Sequence, residues 1–203
     1  MIKNIVFDMG MVLIRFDPEM FMDREGITDP EDRAILQREL FRCVEWAQMD
    51  LGVQSEKTLE PLVRARVPEH LSDMAAHLLW DWCKPIVLME GMEDLIHRLK
   101  AAGYGIYLLS NASMNQPTYW NQLDLSRYFD GTMVSAFEHT VKPSLDIYRK
   151  FTDRFGLKPE ECVFIDDLPI NIAGAVENGW QGIVFHGDAA QTEAKLRELG
   201  VRF

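Results

Sequence analysis

The sequence predicts an α/β fold: a Rossmann-like parallel sheet with helices on both faces, carrying an inserted all-helical segment. Two observations lead there. Four continuous apolar runs, at 4–8, 105–110, 162–166 and 182–185, lack polar alternation, as strands covered on both faces do. From about residue 86 onward these runs alternate with amphipathic segments, the pattern of parallel strands joined by crossover helices. The division that follows is an α/β core of residues 1–15 and 86–203, with a helical cap of residues 16–85 inserted after the first strand.

The elements follow in order. Ile5-Val6-Phe7 makes the first strand, ending on Asp8. In the insertion, helices are expected at 30–49, 55–66 and 69–82, with Thr28 or Asp29 capping Pro30 and Ser55 capping the second. Residues 91–102 place Met92, Leu95, Ile96 and Leu99 on one face, and Gly103 stops that helix. A weaker strand at 132–135 precedes a helix at 144–155, with Leu145, Tyr148 and Phe151 aligned and Gly156 at its end. Helices at 170–178 and 190–198 flank the last strand.

Composition narrows the function classes. The 203 residues suit one core domain with an insertion. With 32 acidic against 21 basic residues, the net charge of −11 argues against nucleic acid or an anionic membrane as the main partner. Three scattered cysteines and five histidines without a C-x-x-C or H-E-x-x-H spacing exclude a disulfide framework and a zinc site. Cys162, opening the run CVFI, reads as a core thiol. Without a signal-peptide core or a spanning apolar run, the expected location is cytoplasmic.

In an open parallel sheet, ligands bind beyond the carboxyl ends of the strands. The residues gathered there are Asp8, Ser110-Asn111 and Asp166-Asp167, with Lys142 just before a helix. Singly, each has a bland reading: a turn aspartate, a helix cap, a solvated lysine, a capping pair. Together, three carboxylates at neighbouring strand ends would repel one another, and a hard divalent cation resolves that repulsion.

This set and order resembles the haloacid dehalogenase (HAD) superfamily, most of whose members are phosphohydrolases. VFDMGMVL is similar to its first motif, with Asp8 at the nucleophile; LLSNAS to the second, at Ser110; VKP to the third, at Lys142; and FIDDLPINIAGA to the fourth, at Asp166 and Asp167. RYFDGTMVS at 127–135 resembles the stretch before the third motif, and the insertion sits where the family places its helical cap. The resemblance implies a Mg²⁺-dependent phosphatase in which Asp8 forms an aspartyl-phosphate that water then hydrolyses. Asp8, the Gly10 carbonyl, Asp166 and Asp167 would hold the metal. Ser110, Asn111 and Lys142 would bind the phosphate, and Lys142 would also pair with the nucleophile. The implied partner is a small phosphorylated metabolite.

One departure matters. Where the family's phosphatases carry a second aspartate that protonates the leaving oxygen, this chain has Gly10. A similar D-x-G-x-V pattern occurs in members resembling a glucose-1-phosphate phosphatase. Loss of general acid–base help, about 10²–10⁴-fold in rate, favours an activated leaving group such as an anomeric sugar hydroxyl. Asp17 is a candidate substitute acid, and Trp46, Trp80, Trp82, Trp120 and Tyr119 are candidate pocket walls or core. The alternatives are a 2-haloacid dehalogenase, or a catalytically weak member that captures phosphorylated ligands; a mutase or phosphotransferase is less favoured.

Overall fold

Strand β1 (Asn4–Phe7) lies at the centre of the sheet and is buried along its whole length. In the computed structural model, which describes Met1–Phe203, it is followed by α1 (Pro18–Arg24), α2 (Pro30–Leu36), a π-helical turn Gln37–Phe41, α3 (Val44–Asp50), α4 (Glu56–Arg66) and α5 (Glu69–Asp81). The chain then returns through α6 (Met92–Ala101) to β2 (Gly105–Ser110), α7 (Gln116–Trp120), β3 (Gly131–Val134) and α8 (Ser135–Glu138). It finishes with α9 (Leu145–Phe155), β4 (Cys162–Asp166), α10 (Pro169–Glu177), β5 (Gln181–Val184) and α11 (Ala189–Glu198).

All five strands are parallel, in the order β3-β2-β1-β4-β5. Strand alternation divides the interior. Val6, Leu109, Met133 and Phe164 face one side, against Ile147, Tyr148 and Phe151 of α9 and Ile172 of α10. Ile5, Phe7, Ile106, Leu108, Val163 and Ile165 face the other, in a larger cluster that takes in α6 and the inserted helices. Burial on both faces is why these strands read as unbroken apolar runs. The sheet runs outward from β1 in two directions, so the strand order reverses between β1 and β4, where such folds bind ligands.

Local chemistry departs from the sequence expectation in two places. The helix expected over 30–49 is broken: the π turn keeps Leu40 and Phe41 both buried beside Leu36, and extended Cys43 then restarts the chain as α3. Helix α1 was not foreseen; Asp17 caps it, accepting from the N–H groups of Glu19 and Met20, with Pro18 in the first turn. Ser55 does cap α4, in a reciprocal box with Thr58. Cys162 is fully buried. No helix is long and apolar enough to cross a membrane.

Besides the shared apolar core, the inserted helices touch the rest of the chain where the turn between α3 and α4 abuts α8. Gly52 has φ +73, and a Cβ there would lie 1.9 Å from the Ala136 carbonyl oxygen, so only glycine permits this approach to α8. Ser135 Oγ donates to the Asp50 carbonyl at 2.5 Å and accepts from the Ala112 N–H at 3.0 Å. One hydroxyl thereby ties the end of α3 to the loop leaving β2.

Candidate active site

The C-terminal ends of β1, β2 and β4 converge at the switch point. The Asp8 N–H donates to the Ile165 carbonyl (2.9 Å), extending the ladder one step and setting Asp8 beside Asp166. Lys142 reaches between them from the loop before α9. Its Nζ lies 2.8 Å from Asp8 Oδ1 and 2.7 Å from Asp166 Oδ2, and donates to the Leu109 carbonyl at 3.1 Å. Burial alone would depress this ammonium, but the charges of Asp8 and Asp166 outweigh it and hold the group above the ordinary lysine value.

The three carboxylates are not equivalent. Asp166 is inaccessible to solvent, and its donors already surround it: the Leu168 N–H at 2.8 Å and Asn171 Nδ2 at 3.0 Å on Oδ1, with Asn171 at 3.1 Å and Lys142 on Oδ2. Asp8 Oδ1 takes the Met9 N–H at 2.7 Å as well as Lys142, which leaves Oδ2 without a donor. Burial, reinforced by the charge of Asp166 and opposed by Lys142, pushes Asp8 up to about 7. Half-buried Asp167 accepts from no other side chain, and burial followed by the charge of Asp166 raises it. Oxygens of the three lie within 4.8 Å of one another. The Gly10 carbonyl accepts no hydrogen bond in its loop. Two carboxylates with free oxygens, a third behind them and an uncommitted carbonyl form an all-oxygen donor set, which suits a hard cation such as Mg²⁺.

Of the remaining expected residues, Asn111 is tied to Lys142. Its Nδ2 donates to the Lys142 carbonyl at 3.0 Å and its Oδ1 accepts the Lys142 N–H at 2.8 Å, so the amide fixes the main chain from which the lysine reaches. Ser110 is 1% exposed and, like Lys142, Asp166 and Asp167, does not itself line the cavity. The N–H groups of Gly10 and Asn111 donate to nothing in the chain, and both residues line the cavity.

That cavity, about 230 Å³, opens between the strand ends and the inserted helices. Phe16, Trp46, Trp82 and Tyr119 supply aromatic wall. Trp80 and Trp120 do not reach it: Trp80 bonds Glu60 at the surface and Trp120 packs on Phe129. Asp17 is absent from the wall, its carboxylate spent on the α1 cap. Sequence reasoning missed Asp50, Glu56 and Ser113, which do line it. Ser113 Oγ donates to Glu56 Oε1, a second tie between α4 and the β2 loop. The local signal was an acidic pair flanking Gly52, which in sequence alone is indistinguishable from a solvated turn. No lysine, arginine or histidine lines the cavity.

Comparison with known proteins agrees with this geometry. The chain matches the haloacid dehalogenase-like hydrolase family over residues 2–179. It is 30% identical over 113 residues to flavin mononucleotide hydrolase 1 of Arabidopsis thaliana, covering 56% of this chain and 46% of the relative. It is also 30% identical over 113 residues to glyceraldehyde 3-phosphate phosphatase of Pyrococcus furiosus, covering 53% of this chain and 46% of the relative. The chain thus spans about half the length of these curated relatives. Among solved structures, a HAD family enzyme of Bacteroides thetaiotaomicron in complex with magnesium and inorganic phosphate shares the fold, with a TM-score of 0.69 at 23% identity, covering 95% of this chain and 99% of that one. With most of its length matched by the family, the chain belongs to the haloacid dehalogenase-like hydrolases.

Proposed function

We propose that the protein is a Mg²⁺-dependent phosphatase acting on a small phosphomonoester, with sugar phosphates the favoured class, through an aspartyl-phosphate on Asp8. One observation carries this reading. Asp8 is held by the Met9 N–H and Lys142 through one oxygen, while the other is free at a residue that lines the cavity. A carboxylate so oriented is a nucleophile with a fixed line of attack.

Each residue then has a task. Asp8 attacks phosphorus through one carboxylate oxygen, the other being the one that would meet the metal, and the bond to the leaving oxygen breaks; water afterwards attacks the phosphoryl group and frees Asp8. Lys142 keeps Asp8 oriented and offers positive charge next to the transferring group. The free N–H groups of Gly10 and Asn111 are suited to donate hydrogen bonds to phosphate oxygens. Asp8, Asp167 and the Gly10 carbonyl would hold the metal, with Asp166 behind, and the ion supplies charge neutralisation for the phosphoryl oxygens. Residues 16–85 act as the cap: their aromatic side chains exclude water and meet the leaving group.

The wall also speaks to the substrate. Asp50 and Glu56, with no basic residue on the wall, disfavour a leaving group that carries a second anionic charge. A hydroxylated or aromatic leaving group fits, and the two curated relatives are named for flavin mononucleotide and glyceraldehyde 3-phosphate. A 2-haloacid is disfavoured on other grounds: attack at carbon needs no metal, and without one the clustered carboxylates of Asp8, Asp166 and Asp167 would repel a carboxylate substrate. The test is phosphate release from a monoester panel, with Mg²⁺ or with EDTA, by wild type and Asp8→Asn. Release that needs Mg²⁺ and vanishes in Asp8→Asn supports the proposal; activity indifferent to both overturns it.

A further inference from the structure

Gly10 leaves the nucleophile without a neighbouring carboxyl two residues on, yet the cavity has further acids on its wall. Asp50, the last residue of α3, lines the same cavity as Asp8 and Gly10. Its carboxyl takes part in no hydrogen bond or ion pair, whereas the other acid on that wall, Glu56, is engaged by Ser113 Oγ. The backbone of Asp50 is pinned to the core edge. Its carbonyl accepts from Ser135 Oγ at 2.5 Å, the next carbonyl, of Leu51, meets His139 Nδ1 at 3.4 Å, and Gly52 abuts Ala136. Such a residue is fixed relative to the strand ends. The wall holds no histidine, cysteine, lysine or tyrosine hydroxyl with an ordinary titration: its single tyrosine, Tyr119, is pushed well above the usual phenol range by burial.

We propose that Asp50 is the proton-transfer residue of the reaction, taking from the inserted helices the task that Gly10 cannot perform. The inference rests on the phosphatase reading above. In the first half-reaction Asp8 bonds to phosphorus, the electron pair of the breaking P–O bond moves to the leaving oxygen, and the Asp50 carboxylic acid delivers its proton there. In the second, the Asp50 carboxylate takes a proton from the water that attacks the phosphoryl group. The P–O bond to Asp8 breaks, and inorganic phosphate leaves with Asp8 ionised and Asp50 protonated again. Burial raises Asp50 to about 7, with Lys142 opposing and Glu56 adding to the rise, so the acid is available near neutral pH. Asp8 and Tyr119 on the same wall, and His139 just past the end of α8, are the other titratable groups facing this segment. The consequence for substrate range is that unactivated alkyl phosphates, and not only anomeric ones, come within reach.

The experiment compares wild type, Asp50→Asn and Gly10→Asp/Asp50→Asn on p-nitrophenyl phosphate, whose leaving group needs no proton, and on the alkyl phosphate that wild type hydrolyses fastest. Expected for Asp50→Asn is a fall of about 10²–10⁴-fold in kcat on the alkyl phosphate. With p-nitrophenyl phosphate it should give a rapid burst of one nitrophenolate per active site, followed by slow turnover, because the phosphoenzyme forms but lacks its base. A Cβ at Gly10 meets only Phe16 Cβ, at 3.9 Å, so the backbone there tolerates a side chain, and the added aspartate should restore the alkyl phosphate rate. Wild-type kinetics in Asp50→Asn on both substrates overturn the inference while leaving the phosphatase reading intact. So does a loss that strikes both substrates equally with no burst and no rescue, since that marks a structural role. Absence of phosphate release by wild type from either substrate overturns the phosphatase reading itself, and this inference with it.

Discussion

Replacing Lys142 by Met probes the central ion group most severely. The substitution keeps the unbranched stem and removes one ammonium that contacts Asp8 at 2.8 Å, Asp166 at 2.7 Å and the Leu109 carbonyl at 3.1 Å. Its side chain is 1% exposed and that of Asp166 is wholly buried, so water cannot replace what is lost. Leaving a buried charge unpaired costs about 3–5 kcal/mol. For a chain of this length that lowers Tm by roughly 6–20 °C. Thermal and urea unfolding in EDTA would measure it, alongside Asp166→Asn and the double variant. Because the two residues share one interaction, the double variant should be less destabilised than the sum of the singles, by about 1–3 kcal/mol. A Lys142→Met loss below about 1 kcal/mol, or strict additivity, would refute the claim that this lysine is the keystone of the carboxylate cluster.

Three further predictions concern the neighbouring parts. Asp50 binds its proton more tightly in the folded chain (about 7) than unfolded (3.8), so across that window the native state holds a proton the unfolded chain has shed, and stability falls as pH rises. The ceiling of that cost is about 4 kcal/mol above pH 7, and Asp50→Asn should gain stability over wild type progressively from pH 4 to pH 8 in urea unfolding; a gap that does not widen with pH contradicts the assignment. Gly52→Ala collides with the Ala136 carbonyl at a positive φ, and should cost roughly 2–4 kcal/mol and raise KM more than it lowers kcat; a neutral substitution would mean that the inserted helices do not dock as described. Mg²⁺ at about 100 times its Kd should stabilise wild type by about 2.7 kcal/mol, and Asp167→Asn, lacking the open carboxylate, should show a smaller shift in differential scanning fluorimetry at the same concentration.

How much of this was legible beforehand depended on the range of the interactions. The strands of the sheet could be read because each is buried on both faces, and their ends named Asp8, Ser110 and Asp166 without any knowledge of packing. Pairing across the sheet is another matter. Nothing local says that the Asn111 side chain is consumed by the main chain of Lys142, or that Asp166 is encased by Asn171, Leu168 and Lys142 while adjacent Asp167 stays open. Two successive aspartates look alike in sequence and differ here through strand geometry: the first points into the layer below the sheet edge, the second stays half-exposed. The contribution of the inserted helices was least visible. Asp50 reaches the site only because Gly52 lets the turn press against α8, a contact 84 residues away in the chain, and Asp17, nearer in sequence, is spent on a cap.

The claim that everything else depends on is that Asp8 becomes phosphorylated. Acid quenching of wild type during turnover of p-nitrophenyl phosphate with Mg²⁺, followed by peptide mass spectrometry, addresses it directly. One phosphoryl group is expected on the peptide carrying Asp8, borne by the Asp8 side chain, enriched in Asp50→Asn and absent from Asp8→Asn. Turnover without a phosphorylated intermediate, or a phosphoryl group on any other residue, would contradict it.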